Sequence, residues 1–427
     1  MKVKRLRRPL TKTARTLCIG GAVIGAATAG ALADDAATVE ELKSRVSALE
    51  ALLQKEGVLP ATKSVKQYIS AASGIDVSGF ATASYFYDTS CPGDDSSNAY
   101  LWNRNSGDFT INKFKLVLAS KPAEASGDKW DAAFRGSLIW GEDAPVVNTG
   151  NYSQSVSNTS GSVASVKSGS SSGFEALREA YVEINVPIGT GLNVRAGQLI
   201  SLLNWESGDG GSANPNFSQG NQWFYTGNGP SAGVQLGYAF TDKVSAKVRL
   251  QNGMYAGPLD GNDAKTAMGS LNFKPNDKLW FNLIGFGGEE SDTLDVLGFS
   301  ILAGYQFTEK FGSGYEFDYF NFDGPAADDD VLWSIGGWFW YDFTSKVGLA
   351  LRAEYLNDDN GFGTGGLLGF PGNTGGDIYG VTLTLNYKPL PNLKIQPEIR
   401  FDGTTVDNGF DGDKCRVIVG TGISYMF

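Results

Sequence analysis

The chemistry open to this chain is limited by its complete lack of histidine among 427 residues. Ser-His-Asp catalysis and every histidine-based metal site are therefore excluded. An active site made of carboxylates alone stays open, but no motif marks one. We therefore expect no enzyme, no metal site and no cofactor. The formal net charge of −11 also argues against a nucleic-acid partner.

Charged side chains recur at every second position of otherwise apolar segments. In the segment 349–355, apolar residues at the odd positions alternate with Ala350, Arg352 and Glu354. Successive side chains of a strand point to opposite faces, so the charges mark a face that meets water and the apolar residues a face that meets lipid. With this parity, the side chains predicted to line a lumen are Lys113, Lys115, Arg135, Arg195, Lys247, Arg249, Glu316, Asp318, Arg352, Glu354, Lys394, Glu398 and Arg400.

Strands must position these charges, and the alternation extends over most of residues 75–427. We count sixteen strands, with fourteen or eighteen as alternatives, and an even number returns both ends of the barrel to the same side. The predicted fold is therefore an all-β, transmembrane, antiparallel up-and-down barrel in a bacterial outer membrane. A barrel of this size leaves an aqueous lumen, whereas eight strands would be filled by side chains.

Recurring short turns give a second, independent signal. The sequences Phe-Thr-Asp-Lys at 240–243, Phe-Thr-Glu-Lys at 307–310 and Phe-Thr-Ser-Lys at 343–346 share one form. Longer, acidic, Gly-rich connections lie between them, such as 253–263 and 358–376. Short turns on one side and long loops on the other are typical of outer-membrane barrels, so we assign the short turns to the periplasm.

The charges inside the predicted barrel suggest what it conducts. Basic residues of the third, fifth and seventh strands would form a ladder up one wall, with the acids of the eleventh strand opposite. Facing rows of opposite charge create a transverse field across a pore and favour small polar or anionic solutes. The alternative is the mixed charge that any barrel lumen carries.

The predicted third outer loop, residues 201–230, is a candidate constriction because the third loop of general porins folds inward. It is also a candidate sugar-binding track, since aromatic residues and carboxylates occur together in it. The alternative is an aromatic girdle or a loop packed against a neighbouring subunit. Its candidate residues are Trp205, Glu206, Asp209, Trp223 and Tyr225.

Two cysteines flank the predicted seam between the first and last strands. Cys91 follows the first strand and Cys415 precedes the last, both on the outer side. Barrel closure makes these strands neighbours in an oxidising compartment. We therefore predict a disulfide that latches the seam, with two unpaired thiols as the alternative.

The N-terminal region divides into three segments. A basic stretch, an apolar stretch and Ala31-Leu32-Ala33 predict a signal peptide over residues 1–33, with a single membrane anchor as the alternative. Residues 34–57 predict a periplasmic coiled-coil helix, since apolar residues occupy its a and d positions. The alternative is an amphipathic helix lying on its own barrel. Residues 58–74 form a linker.

The strand sequences resemble the β-barrel porins of the OmpL-like type over most of residues 79–427. The resemblance is carried by the segments 106–118, 141–148, 177–183, 194–199 and 231–253. It implies an outer-membrane channel, and no substrate residues carry over. The N-terminal coil is similar to that of trimeric porins with a periplasmic helical extension, which implies self-association through coil and barrel.

Two functions compete at this stage. The first is a porin for passive diffusion of small polar solutes or ions. The second is a structural or adhesive barrel that links the outer membrane to the cell wall or to partners. Acidic outer loops, such as 328–330, would bind divalent cations that bridge lipopolysaccharide, or would simply be solvated.

Overall fold

The computed structural model describes Arg45 and residues 74–90, 97, 104–148, 176–210, 213–254, 262–291, 293–325, 327, 329–365, 375–407, 409–410 and 412–427. The chain divides into two units, Met1–Gly74 and Ile75–Phe427. Apart from Arg45, which is helical, the predicted signal peptide, coiled coil and linker up to residue 73 lie outside the described residues. These three predictions therefore stay predictions.

Sixteen antiparallel strands of the second unit close into a barrel in which each strand pairs with the next and β16 pairs with β1. This confirms the predicted fold class. The strands are β1 (Asp76–Asp88), β2 (Phe109–Ala119), β3 (Asp131–Trp140), β4 (Leu177–Val186), β5 (Leu192–Leu199), β6 (Ser231–Ala239), β7 (Val244–Gln251), β8 (Thr266–Asn276), β9 (Leu279–Ser291), β10 (Leu294–Gln306), β11 (Phe311–Asp323), β12 (Asp330–Asp342), β13 (Val347–Asp358), β14 (Gly376–Leu390), β15 (Leu393–Thr404) and β16 (Cys415–Met426).

Within the described residues of the barrel unit, three short helices lie in the connections between strands. They are α1 (Ala144–Val147), α2 (Asn221–Tyr225) and α3 (Phe362–Gly365). Within the described ranges, every helix is too short or too polar to span a membrane.

The side chains of β14 show how the alternation divides the two faces of the wall. Val381 and Leu383 are exposed on the outer face, whereas Thr382 and Thr384 are fully buried inside the barrel. Apolar side chains are stable on the outer face only if lipid covers them, and polar side chains inside need water or hydrogen-bond partners. The wall is therefore built to cross a membrane.

The recurring Phe-Thr-x-Lys segments form tight turns that a threonine hydroxyl holds. The Thr241 Oγ1 accepts hydrogen bonds from the backbone N–H groups of Lys243 and Val244, both at 3.1 Å. Thr308 and Thr344 form the same pair of bonds in their turns. The preceding phenylalanines are exposed, as expected for an aromatic girdle at the membrane interface.

The seam between β1 and β16 closes through backbone pairing and a buried ion cluster. Residues Phe80–Asp88 pair with Met426–Ile418. The Arg416 Nη1 lies 3.6 Å from the Asp88 Oδ2, and the Arg416 Nε lies 3.3 Å from the Asp402 Oδ2. All three side chains are fully buried inside the barrel. The first and last strands are thus joined by charge in the lumen.

The predicted Cys91–Cys415 disulfide is not shown. Cys415 is a free, exposed thiol, and Cys91 lies outside the described residues. Cys415 and Arg416 are neighbours on β16 and point to opposite faces of the wall. The residue that joins the seam is therefore the arginine one position further along, on the lumen face.

Replacing Arg416 with Met should lower the thermal stability of the barrel. The change leaves Asp88 and Asp402 without their shared cation, and breaking a buried pair costs about 3–5 kcal/mol. The temperature at which the folded band is lost on an unboiled denaturing gel measures the effect. Lys414→Met is the matched control, because Lys414 pairs with Asp407 in an exposed position next to β16 and should leave this temperature unchanged. Equal temperatures for Arg416→Met and the native chain would show that the ion cluster of Arg416, Asp88 and Asp402 does not stabilise the seam.

Candidate functional site

The connection between β5 and β6, residues 200–230, folds into the lumen and is called loop L3 here. Its backbone N–H groups donate to carboxylates that point inward from the wall. The N–H of Trp205 donates to Glu316 at 2.8 Å, and the N–H of Phe217 donates to Glu398 at 2.8 Å. The loop predicted as a constriction is therefore bound along the inner face of β11 to β15.

Arg352 of β13 joins the wall to L3 through several hydrogen bonds. Its Nη1 donates to the Glu206 Oε1 at 2.9 Å and to the backbone carbonyl of Ser218. Its Nε lies 2.9 Å from the Glu354 Oε2, and its Nη2 donates to Thr382 at 2.9 Å. Arg352 and Glu206 are both completely buried. A guanidinium in this position requires such partners, since an unpaired buried charge is costly.

Other inward charges of β11 to β15 hold L3 in the same way. The Arg400 Nη1 donates to the backbone carbonyl of Gln219 at 2.7 Å, and the Lys394 Nζ donates to that of Asn214 at 2.6 Å. The Asp318 Oδ2 accepts bonds from the Gln222 Nε2 at 2.8 Å and from Thr226 at 2.7 Å. The acids predicted to face open water across the pore, Glu316, Asp318, Glu354 and Glu398, are therefore bonded to the loop.

The aromatic residues of L3 pack rather than stand free. Trp205 stacks on Trp338 with ring centroids 4.8 Å apart, and lies 5.7 Å from the Trp340 ring. This close approach needs Gly314 of β11, because a Cβ there would lie 2.0 Å from the Trp205 ring. Trp223 packs against an apolar cluster at α1. Trp205 and Trp223 are half-buried in these contacts, and the sugar-binding track stays a prediction.

An apolar cluster also occupies the inner face of β8 to β14. Tyr225 of L3 belongs to it, and burial raises the pKa of its hydroxyl. L3 and this cluster together fill the lumen along one side. The buried members from the wall include Met268, Ile284, Phe286, Val296, Leu302, Phe320, Leu332, Leu356 and Ile378.

A cavity of about 200 Å³ lies on the other side of the barrel, along β2 to β7. That volume far exceeds the roughly 10–15 Å³ that one water needs. Its lining residues are Lys115, Arg135, Glu179, Tyr181, Arg195, Leu199, Ile200, Asp209, Gln235 and Arg249.

Most basic residues near this cavity are paired with a carboxylate. Asp209 of L3 receives both Lys115 and Arg178. Burial favours the neutral form of Asp209, but Arg178 and Lys115 outweigh it and hold the pKa of Asp209 below its ordinary value. The remaining pairs are Lys113 with Asp143 at 3.2 Å, Arg135 with Glu179 at 2.7 Å and Arg195 with Glu183 at 3.3 Å.

Lys247 and Arg249 of β7 differ from these pairs, because neither has a carboxylate partner among the described residues. Arg249 donates only to neutral oxygens, namely those of Gln235 at 2.8 Å, of the Ile200 backbone at 2.8 Å and of Gln251 at 3.4 Å. The positive charges of Arg195 and Arg249 repel the ammonium group of Lys247. The predicted basic ladder thus ends in two uncompensated cations beside the cavity.

Sequence parity missed two residues of this site, Arg178 and Glu179. A register shift between Ser137 and Leu138 lets both neighbours on β4 face inward. Strict alternation allows only one of two neighbours to do so. Glu179 lies an even number of residues before Glu183, so strand alternation could have predicted that its side chain faces inward. No sequence pattern predicts the inward orientation of Arg178.

A closed sixteen-stranded barrel, an apolar outer face, a charged lumen and an inward-folded third loop define an outer-membrane porin. The family "Putative beta-barrel porin-2, OmpL-like" matches residues 74–427. The chain belongs to this family.

Comparison with solved structures shows the same fold in two outer-membrane proteins. The anion-selective porin from Comamonas acidovorans has a TM-score of 0.52 and 11% identity, covering 83% of this chain and 99% of that one. OmpT of Vibrio cholerae has a TM-score of 0.50 and 11% identity, covering 83% and 97%. No curated protein matches the sequence.

Replacing Arg352 with Met should loosen L3 and raise the conductance of a single barrel in a planar bilayer. The change leaves Glu206 buried without its cation, at a cost of about 3–5 kcal/mol to the bound loop. Lys346→Met, in an exposed turn between β12 and β13, is the control and should leave conductance unchanged. A folded Arg352→Met barrel with native conductance would show that L3 does not limit the channel.

Proposed function

We propose that this porin is a channel for passive diffusion of small polar solutes, with a preference for anions. The observation that carries the proposal is the pair of uncompensated cations, Lys247 and Arg249, beside the cavity on the open side of the lumen. The zero-histidine sequence supports transport rather than catalysis as the role of this barrel.

The charge distribution supports anion preference because L3 removes most acids from the open side. Glu316 and Glu398 are buried and bonded to L3 backbone groups, so their charges are compensated locally. A solute anion about 10 Å from one uncompensated cation gains roughly 1–2 kcal/mol at an effective dielectric constant near 20. That energy favours an anion over a cation by about tenfold or more.

The Comamonas porin is described as anion-selective, but its likeness to this chain is one of fold. The proposed preference therefore rests on the lumen charges of this chain alone. They also define its test, since each of them can be neutralised separately.

A structural barrel is the second candidate, and the apolar cluster inside the lumen is the observation that favours it. Apolar packing from L3 and β8 to β14 narrows the space for water. The cavity along β2 to β7, with its charged lining, favours the channel. Stepwise conductance in a planar bilayer separates the two functions.

We also propose that the chain self-associates as a trimer and contacts lipopolysaccharide at its outer loops. The support is the coiled-coil pattern at 34–57 and the acidic composition of those loops. Light scattering of the full chain in detergent checks the first proposal, since a mass of one chain would contradict it.

Neutralising Arg195 and Arg249 together to Ala should reduce anion preference. The native barrel should give a reversal potential of the anion-selective sign in a potassium chloride gradient, and the variant should shift it towards zero, because two lumen cations are lost. Reversal potential in a planar bilayer is the measurement.

Lys310→Ala is the matched control, because Lys310 lies in the exposed turn between β10 and β11. It should keep the native reversal potential. Unchanged selectivity in the double variant would contradict the proposal that Arg195 and Arg249 produce the anion preference. An absence of stepwise conductance in the native chain would contradict the proposal that the barrel is a channel.

A further inference from the structure

We infer that the cavity along β2 to β7 is a binding site for small organic carboxylates that carry an apolar body. The inference rests on the proposed function and deepens it, because it replaces general anion preference with a saturable site. It is carried by two features of the cavity lining, a cationic corner and an apolar wall.

Arg249 and Arg195 line the cavity and form its cationic corner, and Lys247 adds a positive charge near them without being part of the lining. Register places Arg195, Gln235 and Arg249 side by side on β5, β6 and β7. Adjacent strands lie about 4.8 Å apart, so the two arginine positions are separated by roughly 10 Å. Lys247 lies two residues before Arg249 on the same face of β7.

These groups have hydrogen-bond capacity left for a ligand. Arg249 uses four N–H donors on neutral oxygens, one at Nε, two at Nη1 and one at Nη2, which leaves one N–H at Nη2 for a ligand. A guanidinium has five N–H donors and an ammonium has three. Lys247 makes no hydrogen bond within the described part of the barrel, so a carboxylate placed here gains donors and supplies the missing negative charge.

The apolar wall is formed by Leu199, Ile200 and Tyr181, which also line the cavity. Ile200 is 39% exposed, which is consistent with apolar surface available to a solute. The Tyr181 ring lies under the Arg195 guanidinium, 5.0 Å from ring centroid to Cζ. An apolar body next to the bound carboxylate would remove this surface from water, which favours binding.

The same lining disfavours other ligand classes. A cation would meet two uncompensated positive charges, while the lining carboxylates Glu179 and Asp209 are already paired. A neutral sugar would need a free aromatic face, and the Tyr181 face is covered by Arg195. An inorganic anion would use the cationic corner but gain nothing from the apolar wall, so it is an outcome that the test separates.

The test is a ligand-observed NMR titration of the full folded chain in detergent with benzoate, acetate and benzamide. We expect saturable binding of benzoate, with a half-saturation concentration about tenfold below that of acetate, because the ring buries apolar area. Benzamide, which has the ring without the charge, should show no saturable binding. Equal binding of acetate and benzoate would overturn the inference in favour of a simple anion site.

Two variants separate the two features of the site. Arg249→Gln should weaken benzoate and acetate alike, by about tenfold, since each charged hydrogen bond contributes about that factor. Ile200→Ser should weaken benzoate alone. Lys243→Gln is the control, because Lys243 lies in the exposed turn of the same β6–β7 hairpin, and it should leave both ligands unchanged.

Bilayer conductance measured on the same preparations tests the pore independently of the site. Saturable benzoate binding without stepwise conductance would support the carboxylate site and contradict the proposed channel. Stepwise, anion-selective conductance without saturable benzoate binding would support the proposed channel and overturn the inferred carboxylate site.

Discussion

The structure depends on one constraint, which is that charged side chains inside the barrel need partners. Arg352, Glu398 and Arg400 point inward from β13 and β15 and are completely or almost completely buried. L3 satisfies them with backbone N–H groups and carbonyls, so the loop is held by the same charges that it shields. The position of L3 then determines where the lumen stays open, and therefore which wall charges meet a solute.

Strand positions were predictable from the sequence because they depend on local, two-residue alternation. The alternating segment 349–355 lies within the strand Val347–Asp358, and the predicted count of sixteen strands is confirmed. The turn threonines were visible as a repeat for the same reason. Each signal lies within a few consecutive residues, and lipid on one side with water on the other imposes it at every strand.

The division of inward charges into open and covered groups was not predictable, because it depends on contacts between distant segments. Glu316 and Arg135 were both predicted to face inward, yet Glu316 bonds L3, whereas Arg135 lines the cavity and pairs with Glu179 of the wall. The inward apolar residues Phe320 and Leu332 also contradict a simple polar lumen, and they are stable because L3 and the loops cover them. The register shift that turns Arg178 inward leaves no trace in the sequence pattern.

The ion cluster of Arg416, Asp88 and Asp402 has a consequence for the order of barrel assembly. Asp88 is made with the first strand and Arg416 with the last, so the cluster forms only after the entire chain has been delivered to the membrane. Until then, Asp402 and Arg416 can pair within the terminal hairpin, while Asp88 has no cation at the seam. Asp88 is buried in the closed barrel, where a carboxylate requires a cation, and Arg416 of the last strand supplies one, so this contact belongs to the completely closed barrel alone.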